Sequence, residues 1–129
     1  MNPFQFRSPS MARLLVISGN ATTQVVTIPL PCLIGRGQET DLNIDHLTVS
    51  RNHCKLDLHD GKVFITDLGS RNGTQVEHQP IPQNTPVELE NSQTFSIGPL
   101  TFELEIQLTE VPRPNAKYAA TEKPILSST

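Results

Sequence analysis

An alternation of apolar and polar side chains with a period of two sets the strongest limit on how this chain folds. From Phe102 to Thr109, aromatic or aliphatic residues at even positions alternate with glutamate, glutamine and threonine at odd positions. This is the pattern of a β-strand that buries one face. Residues 54–58 repeat it, Asp60-Gly61 can form a tight turn, and residues 63–65 run back, which predicts a β-hairpin.

Short apolar runs elsewhere predict further strands at 13–18, 24–28, 32–35 and 94–97 and near residue 76. No stretch of ten or more residues shows the period of about 3.6 residues that marks an amphipathic helix. Prolines interrupt the central part of the chain at positions 29, 31, 80, 82, 86 and 99. Many short strands at close spacing are typical of an all-β sandwich or barrel.

The 129 residues suffice for one domain, since single domains typically run to about 100–200 residues. We predict a domain over 12–111, a flexible extension at 1–11 and a flexible tail at 112–129 that is rich in Pro, Ala, Ser and Thr. The two cysteines, Cys32 and Cys54, are too few for a disulfide framework and indicate reduced thiols. No signal peptide or membrane span is recognisable, so we expect a soluble, cytoplasmic protein.

Charge is unevenly distributed along this chain, whose formal net charge is −3. Twelve acidic and six basic residues lie between 12 and 111, so the predicted domain is unsuited to an extended polyanion such as DNA. Three of its four arginines nevertheless lie in predicted loops that also hold Ser, Asn and Gly: Arg36, Arg51 and Arg71. Arginine suits bidentate binding of a phosphate, and hydroxyl and backbone N–H groups add neutral donors. If the loops converge, they form a compact oxyanion pocket.

Three motifs occupy these loops: Gly35-Arg36, Ser50-Arg51-Asn52-His53 and Leu68–Thr74. Their order and spacing resemble the signature of the forkhead-associated (FHA) domain, a module that binds phosphothreonine peptides, and the resemblance spans essentially all of 12–111. It implies a β-sandwich of the SMAD/FHA type, with two antiparallel or mixed sheets of about eleven short strands and the binding loops at one end. It also implies a non-catalytic, monomeric module of serine/threonine kinase signalling that needs no cofactor.

The resemblance implies a role for each residue of the motifs. Those that would contact the phosphate are Arg36, Ser50, Arg51 and Arg71. Asn72 would bond the main chain of the peptide. Those that would shape the loops without touching the ligand are Gly35, His53 and Gly73. The expected partner is a phosphothreonine-containing protein, either a serine/threonine kinase or its substrate, and neither a nucleic acid nor a membrane.

Other interpretations of the same residues stay open. Each loop arginine could instead pair with a carboxylate such as Asp45 or Asp67. Ser50, His53 and Asp67 could act as nucleophile, base and orienting acid, although no Gly-x-Ser-x-Gly turn is present. The four histidines and two cysteines could bind a metal, although none has a recognised ligand spacing. The strongest alternative is a phosphate-independent interaction or self-association module with the same fold.

Thr121 is a candidate phosphorylation site in the predicted tail, where Glu122-Lys123-Pro124 follow it. Some proteins that resemble this chain fold a phosphorylated terminal threonine into their own pocket. We therefore name Thr121 as a candidate internal ligand, with a plain solvated tail as the alternative.

Overall fold

The structure is a computed structural model that describes residues 11–18 and 21–106. Within these ranges the chain forms eleven β-strands and no helix, so nothing there resembles a long apolar helix able to cross a membrane. The strands in chain order are β1 (Met11–Ser18), β2 (Ala21–Pro29), β3 (Cys32–Gly35), β4 (Leu42–Asn43), β5 (Cys54–His59), β6 (Lys62–Asp67), β7 (Thr74–Val76), β8 (Gln79–Pro80), β9 (Val87–Leu89), β10 (Thr94–Ile97) and β11 (Leu100–Ile106).

The strands form two sheets. One has six strands in the order β2-β1-β11-β10-β7-β8, and the other has five in the order β4-β3-β5-β6-β9. The short β4 runs parallel to β3, whereas the other ladders are antiparallel. The predicted all-β sandwich of two antiparallel or mixed sheets and about eleven strands is therefore confirmed, with the six-stranded sheet antiparallel and the five-stranded sheet mixed.

The core lies between the sheets and is built from alternate positions of the strands. In β10 and β11 the buried side chains include Phe95, Ile97, Phe102 and Leu104. Phe95 and Phe102 face each other in the ladder, so their rings stack with centroids 5.2 Å apart. Apolar residues of the five-stranded sheet complete the same buried cluster, with Cys32, Ile34, Cys54, Leu56, Val63 and Ile65 among them.

The predicted hairpin is formed by β5 and β6. Asp60 and Gly61 connect the two strands and both have positive φ, at 55° and 78°. Such a two-residue turn matches the twist of the strands it joins. The hairpin places one end of the two strands at this turn and the other end at the motif-bearing loops.

The structure differs from the prediction in its shortest elements and at one end. β4, β8 and β9 have two or three residues each, too few to show a period in sequence. Met11, which falls in the predicted extension, opens β1 and pairs with Pro29. The rest of the extension and all of the tail, Thr121 included, lie outside the described residues, and the domain boundaries and Thr121 stay predictions.

The register of three strands brings the motif-bearing loops together. Ile34, near the end of β3, pairs with Cys54 at the start of β5. Cys54 also pairs with Asp67 at the end of β6. The loop after β3, the loop before β5 and the loop after β6 therefore leave the five-stranded sheet at the same end.

Candidate functional site

Backbone hydrogen bonds fasten the loop after β3 to the loop before β5. The N–H of Arg36 donates to the carbonyl of Ser50 at 2.9 Å, and the N–H of Gly37 donates to the carbonyl of Arg51 at 3.1 Å. Gly35 is buried at this crossing, and a Cβ added to it would overlap the carbonyl oxygen of Arg51. Glycine is needed at position 35 because the two backbones approach so closely.

His53 is fully buried between the loops. Its Nδ1 accepts a hydrogen bond from the N–H of Ser50 at 3.0 Å. Nε2 is therefore the protonated nitrogen, and it donates to the carbonyl of Gly73 at 2.9 Å. The backbone of His53 also donates to Ile34 and accepts from Leu68, each at 2.9 Å. This single residue thus joins the end of β3 to both neighbouring loops.

Asp67 organises the loop after β6 from its base. Its buried carboxylate accepts the hydroxyl groups of Ser70 and Thr74 at 2.6 Å each, the N–H of Ser70 at 3.0 Å and the N–H of Gly69 at 3.1 Å. Burial alone would raise the pKa of this carboxyl, but these four hydrogen bonds outweigh burial and lower the pKa. Asp67 is therefore ionised at neutral pH and fixes the third motif.

A cavity of about 240 Å³ opens where the three loops meet. The residues predicted to touch a phosphopeptide all line it: Arg36, Ser50, Arg51, Arg71 and Asn72. The other lining residues are Leu47, Thr48 and Val49. The three arginines are exposed, so this end of an otherwise acidic domain carries concentrated positive charge.

Hydrogen bonds in the cavity wall orient the donor groups. Arg36 is anchored through Nε, which donates to the carbonyl of Val49 at 3.0 Å, and its terminal nitrogens have no partner among the described residues. Ser50 Oγ accepts the backbone N–H of Arg71 at 3.0 Å. Because that bond uses a lone pair of the hydroxyl, the hydroxyl hydrogen stays available to donate. The wall therefore presents both guanidinium and hydroxyl donors to an anion.

Asn72 bridges two loops at the side of the cavity. Its Nδ2 donates to the carbonyl of Thr48 at 2.8 Å, which leaves the amide oxygen as an acceptor for a ligand. The residue thus has a bracing contact as well as the free group that the predicted contact to a peptide main chain requires.

The loop arginines pair with no carboxylate among the residues that the structure describes. Ion pairs in the described part of the chain join Arg13 to Glu105, Lys55 to Asp57 and His59 to Asp60. Asp67 is saturated by hydroxyl and N–H groups instead. The alternative in which these arginines serve as partners of Asp45 or Asp67 is therefore not what the structure shows.

Ser50, His53 and Asp67 do not have the geometry of a catalytic triad. His53 Nδ1 contacts the backbone N–H of Ser50 and not its hydroxyl, and its Nε2 contacts Gly73 and not a carboxylate. Both ring nitrogens are occupied, so neither can take a proton from Ser50 Oγ. Over the described residues, no group of three or more His, Cys, Asp and Glu side chains is arranged to hold a metal ion.

Both cysteines are free thiols in the core and contribute nothing to the cavity. Burial, with a smaller contribution from Asp41, raises the pKa of Cys32 to about 12. Burial also raises the pKa of Cys54, and nearby Asp67 adds to the effect. Such thiols are unreactive at neutral pH because the thiolate is the nucleophile.

Sequence reasoning missed two sets of residues that build this site. Leu47 and Thr48 line the cavity, yet the sequence offered only an apolar residue inside a polar loop as a signal. Ser70 and Thr74, which bind Asp67, follow it at the short spacing by which Asp side chains bond nearby backbone and hydroxyl groups. That local pattern could have identified the anchor of the third motif.

Comparison with known proteins places this geometry in a family. The FHA domain model matches residues 32–98. The glycogen accumulation regulator GarA of Mycolicibacterium smegmatis is 35% identical over 92 residues, covering 70% of this chain and 56% of that protein. The oxoglutarate dehydrogenase inhibitor of Corynebacterium efficiens is 33% identical over 92 residues, which cover 70% of this chain and 63% of that protein. A regulatory inhibitor subunit of protein phosphatase 1 from Arabidopsis thaliana, the PPP1R8 homolog, is 39% identical over 71 residues, 54% and 19% of the two chains.

Solved structures agree with this family. The FHA domain of the CT664 protein from Chlamydia trachomatis superposes with a TM-score of 0.64 and 27% identity, covering 76% of this chain and 99% of that one. A structure from a study of phosphothreonine-dependent FHA domain interactions superposes with a TM-score of 0.63, covering 76% of this chain and 98% of that one. At 21% identity, the second likeness concerns the fold alone. The chain spans only part of each curated relative named above.

Fold and site together define a β-sandwich binding module whose loops gather arginine, serine and asparagine side chains at one end. The chain belongs to the FHA domain family, whose model matches more than half of it. It is accordingly an FHA module, with Arg36, Ser50, Arg51, Arg71 and Asn72 around one cavity between its loops.

Proposed function

We propose that the domain binds a phosphothreonine-bearing segment of a protein partner in the cavity between its three loops. The guanidinium groups of Arg36, Arg51 and Arg71 and the hydroxyl of Ser50 hold the phosphate, and the amide of Asn72 bonds the peptide main chain. One observation carries the proposal: these five residues come from three motifs that are distant in sequence, and all of them line one cavity.

The chemistry of the cavity suits a single phosphate. A phosphothreonine brings a charge of about −1.5 to −2 and three acceptor oxygens. Each charge-assisted hydrogen bond contributes about 1.5–3 kcal/mol net, so three guanidinium groups and a hydroxyl suffice without a deep apolar pocket. The acidic remainder of the domain repels an extended polyanion. A compact anion contacts only the cationic end and avoids this repulsion.

The module acts by binding and performs no catalysis of its own. The occupied ring nitrogens of His53 support this, because they leave Ser50 without a general base. Two of its relatives are named as an inhibitor and a regulator, which supports a regulatory role exerted through contact. We further propose that it works as a monomer, that its partner is a serine/threonine kinase or a kinase substrate, and that it binds neither nucleic acid nor membranes.

Selection of phosphothreonine over phosphoserine needs more than the extra methyl group. Burying one methyl contributes about 0.8 kcal/mol, equal to about a fourfold difference in affinity. A larger preference therefore requires that the loops also favour the conformation of the threonine backbone and side chain.

Fluorescence anisotropy with labelled peptides tests the proposal. The wild-type domain should bind members of a phosphothreonine peptide library and reject the unphosphorylated versions. Arg36→Ala should weaken binding by at least about tenfold, since a charge-assisted contact is worth 1.4 kcal/mol or more. Lys62→Ala is the matched control, because it removes one positive charge beside the β5–β6 turn, at the end of the hairpin opposite to the cavity.

Two results would contradict this function. Equal affinity for phosphorylated and unphosphorylated peptides would instead support a phosphate-independent interaction module. Wild-type affinity in Arg36→Ala would show that the cavity does not hold the phosphate. Phosphoserine peptides belong in the same experiment, because their affinity measures the contribution of the threonine methyl.

A further inference from the structure

Leu47 is the most exposed large apolar side chain in the described residues. It is 87% exposed, whereas Val25 and Met11 are 49% and 42% exposed and lie on β2 and β1 of the other sheet. Its apolar neighbours in the same loop, Ile44 and Val49, are 7% and 1% exposed. The loop therefore places two of its apolar residues in the core and directs the third into solvent.

The turn that carries Leu47 is firmly braced. The N–H of Val49 donates to the carbonyl of His46 at 3.0 Å, and the N–H of Thr48 donates to His46 Nδ1 at 3.1 Å. Outside the turn, Asn72 donates to the carbonyl of Thr48 at 2.8 Å. Exposure of Leu47 is thus fixed by hydrogen bonds on both sides of it.

A second loop supports the same turn by close packing. A Cβ added to Gly98, between β10 and β11, would lie 2.5 Å from Thr48 Oγ1. The β10–β11 loop therefore contacts the turn at Thr48 in a place where only glycine fits. Gly98 also has a φ of 56°, a conformation that glycine adopts readily. Both neighbouring loops therefore contact Thr48, the residue that follows Leu47, and hold the turn in place.

That position is the edge of the phosphate cavity. Leu47 lines the same cavity as Arg36 and Ser50. Arginines supply the charged part of the wall, and Leu47 supplies an apolar edge that offers no hydrogen bond. A leucine side chain stabilises a complex only by the burial of apolar surface. The part of a ligand that packs against Leu47 is therefore also apolar.

We infer that Leu47 determines specificity by packing against an apolar side chain of the ligand one or two positions from the phosphothreonine. This inference rests on the proposed function. Successive residues of an extended peptide are about 3.3 Å apart, so a side chain at the cavity edge reaches only the nearest neighbours of the phosphothreonine. The threonine methyl is too small to cover a leucine, which is why the contact is assigned to a flanking residue.

Phosphothreonine peptides with leucine or serine at each of the two positions before and after the phosphothreonine test this inference. The measured quantity is the affinity ratio of the leucine to the serine peptide at each position, for wild type, Leu47→Ala, Leu47→Met and Val25→Ala. We expect wild type to prefer leucine about fivefold at one position or more. Leu47→Ala should reduce this ratio to near one, Leu47→Met should retain it, and Val25→Ala, an apolar truncation on the other sheet, should leave it unchanged.

Three results would overturn the inference alone: no preference for leucine in the wild type, a preference that survives in Leu47→Ala, or an equal weakening of all peptides in Leu47→Ala. The last result would mean that Leu47 only positions the loop. Failure of the wild type to bind any phosphothreonine peptide would instead overturn the proposed function, and the inference with it.

Discussion

Two regions of the molecule use polar residues in opposite ways. We call His53 and Asp67, which are buried at the base of the loops, the frame, and the exposed Arg36, Arg51 and Arg71 around the cavity the rim. In the frame, His53 and Asp67 are fully buried, and their side-chain nitrogens and oxygens are bonded within the domain. On the rim, Arg36, Arg51 and Arg71 are exposed and form no ion pair with a described residue. Buried polar groups are costly to leave without partners, whereas exposed ones are not. Stability should therefore depend on the frame, and recognition on the rim.

We expect the largest effect on stability and on binding at Gly35, where the loop after β3 crosses the loop before β5. Gly35→Ala places a methyl group against the carbonyls of Ser50 and Arg51, so the loop that carries both residues must move. We expect a loss of about 3 kcal/mol in the free energy of unfolding and loss of phosphopeptide binding. Urea denaturation and peptide anisotropy on the same sample measure both.

Gly37→Ala is the matched control for that substitution. Its Cβ would lie 3.2 Å from the carbonyl oxygen of Arg51, a tight contact that a small shift relieves. We expect a clearly smaller loss of stability than in Gly35→Ala. Equal losses in the two variants, or no loss in either, would contradict the view that Gly35 alone permits the crossing.

The features that sequence predicted well are those with a local signature. Period-two alternation marks β5 and β11, a short apolar run marks β6, and Asp60-Gly61 marks the turn between β5 and β6. The resemblance of the motifs to the FHA signature named residues that the structure gathers around one cavity. Each of these signals lies within a few residues or follows the family's spacing.

The features that sequence did not predict depend on contacts between distant segments. Nothing near Leu47 in the chain indicates that Asn72 and Gly98 support its turn from other loops. The close approach of Gly35 to Arg51 likewise follows from the pairing of β3 with β5. Such packing is set by the register of the sheet, which a single sequence does not encode locally.

The second prediction compares one frame residue with one rim residue. His53→Ala removes the partners of the N–H of Ser50 and the carbonyl of Gly73. We expect a loss of about 2 kcal/mol, or about 10 °C in Tm, because buried polar groups are left unpaired. Arg36→Ala should change stability by no more than about 0.5 kcal/mol, as surface substitutions usually do.

Thermal unfolding of these two variants decides whether frame and rim are separable. His59→Ala is the control, since its side chain is 78% exposed at the far end of β5 and its loss should leave Tm near that of the wild type. Equal melting temperatures for His53→Ala and Arg36→Ala would show that the histidine does not stabilise the loops.

The smallest expected effect is a dependence of the free energy of unfolding on pH, which arises from Asp67 in the frame. The pKa of Asp67 is lowered in the folded protein, so its ionised form stabilises the fold above the ordinary pKa of an aspartate, about 3.9. This contribution is lost as the pH falls below about 4 and through the lowered pKa of the folded state. Asp67→Asn lacks the titrating group, so its free energy of unfolding should decline less steeply than that of the wild type between about pH 5 and pH 2.

Urea denaturation across that range measures the difference between the two slopes. Asp67→Asn should also be less stable than the wild type at pH 7, because an amide cannot accept all four hydrogen bonds that the carboxylate receives. Asp45→Asn, which removes an exposed carboxylate, controls for the change in net charge. Parallel slopes in the wild type and Asp67→Asn would show that the four hydrogen bonds to the carboxylate do not favour its ionised form. The frame would then hold the third motif by packing and not by charge.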